Sequence, residues 1–375
     1  MKRFLTISLT TCIAALAANA ANAQLPSITT AAARVTTIAK AAHLSGEIAL
    51  TDRTGPTIDR TLGLADPGKQ QSHRRGARWL WASVTKQVTA VLVMQQVESG
   101  TLSLDGTIRH YLPAFAGANG DTITLRQLLQ HLSGLPNPDD TAAGAGDVPI
   151  FYTETGAGIA DTPRATGFCS ATPKAAPGAG FAYNNCDYLV LGAILERVTG
   201  KPYAQLVADR IAKPLGLRSL RIARDGALRG GGAATGYTAG GKPYPAVNVA
   251  TFGAAGALTG TARDLVAFDR ALAAGRLLGP ESRAILWKAD PKVGYEALGV
   301  WSFPARLAGC VQPVTLIERR GDVGGIQVRN VIAPNFGRSV AVFVNDDTVD
   351  FGEVWQGKGL SFDLLSAAFC PTAQS

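Results

Sequence analysis

Apolar positions fit a helical period in the segment from residue 83 to residue 98. Its apolar residues include Val84, Val88, Val91, Leu92 and Met94. Such a repeat is typical of a helix that is buried in a protein core, and Gly100 marks its end. The sequence therefore predicts a buried helix that begins at about Ser83.

Further helices are predicted in the middle and at the end of the chain. Thr124 and Gln127 have the spacing of a capping box, which begins a short helix that ends at 133–136. The other predicted helices span residues 187–199, 202 to about 216, 261–274 and about 359–369. Residues 137 to about 180 are rich in Gly, Ala, Pro and Asp and predict a long excursion of loops.

Short apolar or alternating segments, typical of strands, lie at both ends of the chain. They span residues 47–52, 57–64, 296–302, 313–319, 325–332 and 338–345. The arrangement predicts an α+β fold, in which both ends build one antiparallel sheet flanked by helices. The predicted sheet subdomain spans about 24–82 and 290–375, and a mostly helical subdomain spans about 83–289. A cleft where the two meet is the expected place for a site.

The first 23 residues have the pattern of a secretory signal peptide. Lys2 and Arg3 precede an apolar run, and the small-residue pattern Ala21-Asn22-Ala23 follows it. Removing those two positive charges from the net charge of +8 leaves +6 for residues 24–375. No later stretch is apolar enough to span a bilayer, and no basic run with interleaved aromatics indicates a nucleic acid partner. We therefore expect a soluble protein that is exported to the periplasm or secreted.

Four cysteines follow the predicted cleavage site, and an even number in an exported chain indicates two disulfides. Four cysteines allow three pairings. We predict Cys169 with Cys186, closing a local loop, and Cys310 with Cys370, holding the C-terminus. The spacing is unlike that of a zinc site and the chain has four histidines, so we expect neither a metal nor another cofactor.

Several catalytic motifs are absent from the sequence. No serine has glycine two residues before and two residues after it, which excludes the nucleophile elbow of α/β-hydrolases. Neither GxxxxGK[ST] nor HExxH occurs. His131 lies at the end of a predicted helix, where capping is its expected role.

Ser83 and Lys86 form the S-x-x-K pattern at the start of the predicted buried helix. Residues three apart share a helix face, so the ammonium can reach the hydroxyl. Unpaired amide groups at a helix start favour developing negative charge. The pair is thus a candidate nucleophile with its partner. The alternative is a helix-capping serine beside an exposed lysine.

A lysine with its ordinary pKa of about 10.4 cannot accept a proton at neutral pH unless its surroundings lower that value. A tyrosine beside a cation has its pKa lowered as well, so lysine and tyrosine can exchange a proton. Tyr183 and Asn185 have a spacing of two, which directs both side chains to one side of an extended segment. The alternative is a loop tyrosine and a turn asparagine.

The order of three motifs carries a resemblance to a known family. S-x-x-K at 83–86, H-x-S-G-L-P at 131–136 and Y-x-N at 183–185 follow one another in the sequence. In this order they resemble the class C β-lactamase family, which includes related penicillin-binding DD-peptidases and esterases. The resemblance extends from about 46 to about 345 and implies a β-lactamase/transpeptidase-like fold.

The resemblance also implies roles for individual residues. Ser83 is similar to the acylated nucleophile, Lys86 to the partner that takes up or relays its proton, and Tyr183 to the general base. Asn185 is similar to the residue that holds the lysine and binds the substrate amide. The oxyanion hole would be the backbone amides of Ser83 and Asp322.

The sequence departs from the family at its third motif, which is Lys-Thr-Gly or His-x-Gly. Arg319, Arg320 and Gly321 stand there as candidate substrate-binding residues. Arg319 keeps the charge but stays protonated, so we expect it to bind a substrate carboxylate and to disfavour efficient β-lactam hydrolysis. The alternative is two arginines on an exposed strand edge. Asn184 also replaces the small residue that is usual inside Y-x-N.

These observations predict a serine hydrolase that forms an acyl-enzyme on Ser83 and cleaves small esters, amides or β-lactams. Cell-wall peptides are further candidate substrates. Two alternatives remain open. One is a β-lactamase proper or a DD-peptidase. The other is a non-catalytic binder of wall peptides or β-lactams that has kept the cleft.

Overall fold

The computed structural model describes residues 25–226 and 233–372, so the predicted signal peptide lies outside the described residues. The helices are α1 (Ile28–Ala41), α2 (Thr85–Glu98), α3 (Ile108–Tyr111), α4 (Leu125–Leu129), α5 (Asp161–Thr166), α6 (Asn185–Thr199), α7 (Tyr203–Val207), α8 (Lys213–Leu215), α9 (Gly253–Gly256), α10 (Ala262–Ala273), α11 (Pro280–Leu286) and α12 (Leu360–Phe369). The strands are β1 (Gly46–Thr51), β2 (Ile58–Leu62), β3 (Leu64–Asp66), β4 (Gln71–Ser72), β5 (Arg78–Leu80), β6 (Arg221–Ile222), β7 (Tyr237–Thr238), β8 (Lys242–Pro243), β9 (Leu258–Thr261), β10 (Trp301–Ala305), β11 (Val314–Val323), β12 (Ile326–Ala333) and β13 (Arg338–Val344).

The main sheet combines strands from both ends of the chain, as predicted. Its order is β10-β11-β12-β13-β1-β2, and each neighbouring pair is antiparallel. The register between β11 and β12 pairs Arg319 with Asn330. The α+β prediction is therefore confirmed. β5, which the prediction assigns to the sheet subdomain, pairs instead with β9.

Helices cover both faces of this sheet because successive strand residues point to opposite sides. Ala341 and Phe343 of β13 join the larger core with α2, α6 and α10. Val342 and Val344 join a second core with α1 and α12. α1 was not predicted from the sequence, and its buried residues are Ala31, Ala32, Val35 and Ala39.

Most predicted elements occur within a few residues of their expected positions. Thr124 and Gln127 form the predicted capping box, and Thr261 caps α10. The predicted strand at 296–302 is wrong in position, because residues up to 300 form turns and the strand begins at Trp301. The loop region between 137 and 180 contains short helical turns and α5.

Both predicted disulfides are present. Cys169 is bonded to Cys186, which joins the long loop region to the first turn of α6. Cys310 is bonded to Cys370, which joins the connection between β10 and β11 to the residue after α12. In the described part of the chain, no helix combines the length and apolarity that a membrane span requires.

Candidate active site

Ser83 lies in a 3₁₀ turn, Ala82–Val84, between β5 and α2. The helix itself begins two residues later than predicted, at Thr85. Ala82 has φ +47°, a conformation that costs energy for a residue with a side chain and often occurs at functional sites. β11 passes so close that a Cβ on Gly321 would lie 3.1 Å from the Ser83 nitrogen and 2.8 Å from the Trp81 oxygen. A glycine is therefore required at residue 321.

Lys86 is completely buried, with 0 % exposure, so the alternative of an exposed lysine is wrong. Its Nζ donates to Ser83 Oγ at 3.2 Å, to Asn185 Oδ1 at 2.7 Å and to the Ala255 oxygen at 2.9 Å. Burial lowers the pKa of Lys86, and the positive charge of Arg319 adds to this against the opposing effect of Tyr183. The ammonium is therefore both well oriented and easier to deprotonate than an ordinary lysine.

Tyr183 joins the same cluster from the segment before α6. Its hydroxyl donates to Ser83 Oγ at 2.6 Å and accepts from Arg319 Nη2 at 3.0 Å. Lys86 Nζ lies 4.7 Å from the centre of its ring. Burial alone would raise the pKa of Tyr183, but the charges of Lys86 and Arg319 outweigh it and the pKa is lowered. The phenolate is therefore stabilised beside the serine hydroxyl.

Asn185 is the first residue of α6 and orients Lys86 from the side opposite to Ser83. Its Oδ1 accepts the Lys86 hydrogen bond, and its Nδ2 donates to Tyr152 at 2.8 Å and to Asp139 Oδ1 at 3.4 Å. Tyr152 in turn donates to Asp139. Sequence reasoning missed Tyr152 and Asp139, although both belong to the long loop region that it marked as unusual.

The side chain of Arg319 is buried, so the alternative of an exposed arginine at a strand edge is wrong for this residue. Its Nε donates to the Ser83 oxygen at 3.2 Å, and its Nη1 lies 3.5 Å from Glu296 Oε1. Together with the bond to Tyr183, these contacts hold the guanidinium inside the cluster rather than in the open cleft. The structure thus makes Arg319 a partner of the Tyr183 hydroxyl. The role of Arg319 in binding a substrate carboxylate remains a prediction.

Glu296 is a buried carboxyl group beside the Arg319 guanidinium, and it was not predicted from the sequence. Neither of its carboxyl oxygens has a hydrogen-bond partner in the part of the chain that the structure describes. Burial raises the pKa of Glu296 to about 8, although Arg319 and Lys86 oppose this effect. No pattern in the sequence indicates the contact, because residues 296 and 319 come from a turn and a strand that meet only in the folded protein.

Arg320 points away from this cluster because successive strand residues alternate. Its guanidinium binds Glu353 at 2.7 and 2.5 Å and Glu318 at 2.9 and 3.3 Å. Asp322 follows Gly321 on the same strand and has an exposed side chain. Its backbone amide remains a predicted part of the oxyanion hole.

His131 ends α4, as predicted, because it follows the cap residue Gln130 in a left-handed conformation and the Leu132 amide donates to the Gln127 oxygen at 2.8 Å. The residue has φ +57° and is fully buried, with its ring centre 4.5 Å from that of Tyr183. Nδ1 accepts from the Asn184 amide at 3.2 Å and lies 2.9 Å from Asp187 Oδ2. Burial, together with Arg319 and Lys86, lowers the pKa of His131 well below its ordinary value, so the ring is neutral. It packs behind Tyr183.

Asn184, the departure inside Y-x-N, has a structural role. Its Oδ1 accepts from the Cys186 amide at 2.8 Å and caps α6, while Nδ2 donates to the Leu135 oxygen at 2.7 Å. It therefore joins the H-x-S-G-L-P segment to the helix that carries Asn185.

Sequence comparison places the chain among known proteins. A family profile described as Beta-lactamase matches residues 31–355. The D-alanyl-D-alanine-carboxypeptidase/endopeptidase AmpH of Escherichia coli K12 is 32% identical over 164 residues, which is 43% of this chain and 41% of AmpH. Esterase EstB of Burkholderia gladioli is 35% identical over 190 residues, 47% of this chain and 46% of EstB. The chain thus matches less than half the length of these curated relatives.

Solved structures show the same fold over most of the chain. A D-stereospecific amidohydrolase from Streptomyces sp. has a TM-score of 0.70 at 24% identity and covers 93% of this chain and 100% of its own. The D-amino acid amidase of Ochrobactrum anthropi SV3 has a TM-score of 0.73 at 22% identity, covering 90% and 98%. The profile covers well over half of the residues and the fold agrees with it, so this protein belongs to the Beta-lactamase family.

Proposed function

We propose that this protein is a serine hydrolase that forms an acyl-enzyme on Ser83. The proposal rests on two hydrogen bonds that Ser83 Oγ accepts. Ser83 Oγ lies 2.6 Å from the Tyr183 hydroxyl and 3.2 Å from Lys86 Nζ. Both groups have a lowered pKa, which suits them to remove the serine proton at neutral pH.

Acylation begins when Ser83 Oγ attacks the carbonyl carbon of an ester or amide and its proton passes to the Tyr183 phenolate. The carbonyl oxygen becomes an oxyanion, which the backbone amides of Ser83 and Asp322 would stabilise. Tyr183 then returns the proton to the leaving group as the acyl bond breaks. In deacylation, water attacks the acyl carbon and Tyr183 takes its proton. Tyr183 then returns the proton to Ser83 Oγ as the acyl bond breaks. Because Lys86 and Tyr183 interact strongly, their titrations belong to the pair.

Arg319 supports this chemistry as a fixed charge. A guanidinium does not lose its proton in this pH range, so it cannot relay one. It donates to the Tyr183 hydroxyl at 3.0 Å and stabilises the phenolate that must form. In our proposal Arg319 therefore stabilises the phenolate instead of binding the substrate, which was the role expected from the sequence.

Esters and amides are the substrates that we propose first. The relatives named above include a carboxypeptidase/endopeptidase and an esterase, and an amidase shares the fold. The enclosed Arg319 disfavours the alternative of a β-lactamase proper or a DD-peptidase, whose substrates carry a carboxylate. The oriented Ser83, Lys86 and Tyr183 disfavour a non-catalytic binder. We also propose export to the periplasm or secretion, supported by the pattern of residues 1–23 and by two disulfides.

Intact mass spectrometry tests the proposal directly. The protein is incubated with short esters, penicillins and an alkyl phosphonate probe, beside Ser83→Ala as the control. We expect an added mass on the native protein with the phosphonate and with at least one ester, and none on the variant. No added mass with any reagent, or equal labelling of the variant, would contradict an acyl-enzyme on Ser83.

A further inference from the structure

A second cavity opens beside the catalytic cluster and has no part in the mechanism above. It has a volume of about 500 Å³, within the usual range of small-molecule sites. Its walls include the rings of Tyr295, Trp301, Phe303 and Trp355, with Arg320 between them. We refer to it as the aromatic pocket.

Trp301 lines the aromatic pocket and also lies against the catalytic cluster. Its ring lies 5.0 Å from Cζ of Arg319 and 5.8 Å from Cζ of Arg320. Residues 295 and 296 also connect the two sites. Tyr295 lines the pocket, and the next residue, Glu296, lies beside Arg319. The pocket is therefore adjacent to the groups that contact Tyr183.

The pocket leaves large rings in solvent. Trp355 is 65 % exposed and Tyr295 is 40 % exposed, and the Trp355 ring meets Phe303 edge to face at 6.1 Å. Tyr295 has φ +63°, which is unfavourable for a bulky residue. Exposed rings and an unfavourable backbone both cost stability, and such features concentrate where a ligand binds.

The polar groups of the pocket satisfy one another. Arg320 uses its three guanidinium nitrogens on Glu318 and Glu353. Its cation lies over the Trp355 ring, 5.5 Å from the ring centre. A carboxylate would have to displace a glutamate to bind Arg320. An uncharged ring displaces neither glutamate, because it stacks on the aromatic walls.

We propose that the aromatic pocket is a subsite for an uncharged aryl group of the substrate. This rests on the proposed hydrolase function and names a substrate class for it. The aryl group can belong to the acyl part or to the leaving group, and both would have the same pocket chemistry. The experiment below separates these two sources.

Four esters form two matched pairs for hydrolysis in a pH-stat. Ethyl phenylacetate and ethyl cyclohexylacetate differ in the acyl part, while benzyl acetate and cyclohexylmethyl acetate differ in the leaving group. Within each pair the reacting bond is similar and only the ring changes from aromatic to saturated. We expect the native protein to favour the aryl ester in one pair, and that pair identifies the side that enters the pocket.

Trp355→Ala tests the pocket itself, with Trp355→Phe as the conservative variant and Val311→Ala as the control. Val311 is 76 % exposed and is not a lining residue of the pocket. We expect Trp355→Ala to lower kcat/KM about three- to tenfold for the preferred aryl ester, mainly through KM, since an aromatic contact contributes this much. The saturated partner should change less than twofold, and Trp355→Phe should recover part of the loss.

Four results would overturn the subsite. Turnover without an aryl preference, or equal loss for both members of a pair, contradicts it while leaving the proposed function intact. Stronger inhibition by an N-acetylglucosamine oligomer than by benzyl alcohol would assign the pocket to a carbohydrate instead. No hydrolysis of any ester, together with no adduct on Ser83, contradicts the hydrolase function and the subsite with it.

Discussion

Two cations reach Tyr183 from different halves of the molecule, and they differ in what they can do. Lys86 comes from α2, contacts Ser83 Oγ directly and has a lowered pKa because it is buried. Arg319 comes from β11 and contacts Tyr183 but not Ser83 Oγ. Burial alone would lower the pKa of Arg319, but Tyr183 and Glu296 raise it overall.

This difference indicates that Lys86 and Arg319 have different roles beside the Tyr183 hydroxyl. A lysine with a lowered pKa can exchange a proton with its neighbours, whereas a paired arginine supplies charge without exchanging protons. Arg319 is permanently charged, so we propose that Lys86 takes part in the proton transfer. Lys86 and Arg319 together lower the pKa of Tyr183, and Lys86 contributes more.

The largest expected effect comes from the side that exchanges protons. Lys86→Met and Tyr183→Phe should each lower the rate of ester acylation by about two to four orders of magnitude, the usual contribution of a general base. Stopped-flow acylation with a chromogenic ester measures this rate. Lys69→Met is the matched control, because that side chain is 80% exposed. A near-native rate in either active-site variant would remove that residue from the mechanism.

Removing the fixed charge should have a smaller effect and change the pH dependence. Arg319→Gln should lower kcat/KM by about 10²-fold, as for one preorganised donor. Without this cation the pKa of Tyr183 rises, so the acidic limb of the pH–rate profile should move to higher pH. Arg319→Lys should keep part of the rate. Arg306→Gln, an exposed arginine, serves as the control, and an unshifted profile in Arg319→Gln would contradict the assigned role.

Glu296 offers a test in stability rather than in rate. Its pKa of about 8 in the folded protein lies above its ordinary value of 4.5. Between those values the folded state holds a proton that the unfolded state has released, so stability falls as pH rises through this range. Glu296→Gln lacks this loss. Its free energy of unfolding relative to the native protein should therefore increase by a few kcal/mol from pH 5 to pH 8.

Urea unfolding at several pH values measures this difference. The exposed Glu281→Gln variant is the matched control and should show a difference that does not depend on pH. If the difference in free energy of unfolding between Glu296→Gln and the native protein did not change with pH either, the prediction would be contradicted. Glu296 would then be ionised from pH 5 to pH 8 and would neutralise Arg319.

The smallest expected effect concerns substrate charge. Arg319 is enclosed by Tyr183, Glu296 and Trp301, so it should not distinguish a substrate carboxylate from a neutral group. An N-acyl-D-alanyl-D-alanine and its C-terminal amide should differ less than threefold in kcat/KM, measured by chromatography of the released product. A preference for the free acid of tenfold or more would show that an arginine reaches the substrate after all.

Local sequence signals predicted much of the scaffold. The apolar period after Ser83, the capping residues Thr124 and Thr261, and the two cysteine pairs all correspond to features of the structure. Such signals work because helix ends and amphipathic faces depend on neighbours within one or two turns. The ordered motifs also placed Ser83, Lys86, Tyr183 and Asn185 in one hypothesis, and the structure brings these four side chains together.

The electrostatic surroundings of the cluster were decided by tertiary structure. The sequence shows two adjacent arginines, but only the pleat of β11 and its position inside the sheet make one a buried partner of Tyr183 and the other a wall of the aromatic pocket. Glu296 meets Arg319, and His131 meets Tyr183, across long stretches of chain. Burial then raises the pKa of Glu296 and lowers the pKa of His131. Because burial and long-range contact both arise from the packing of the whole chain, no local pattern of residues contains them.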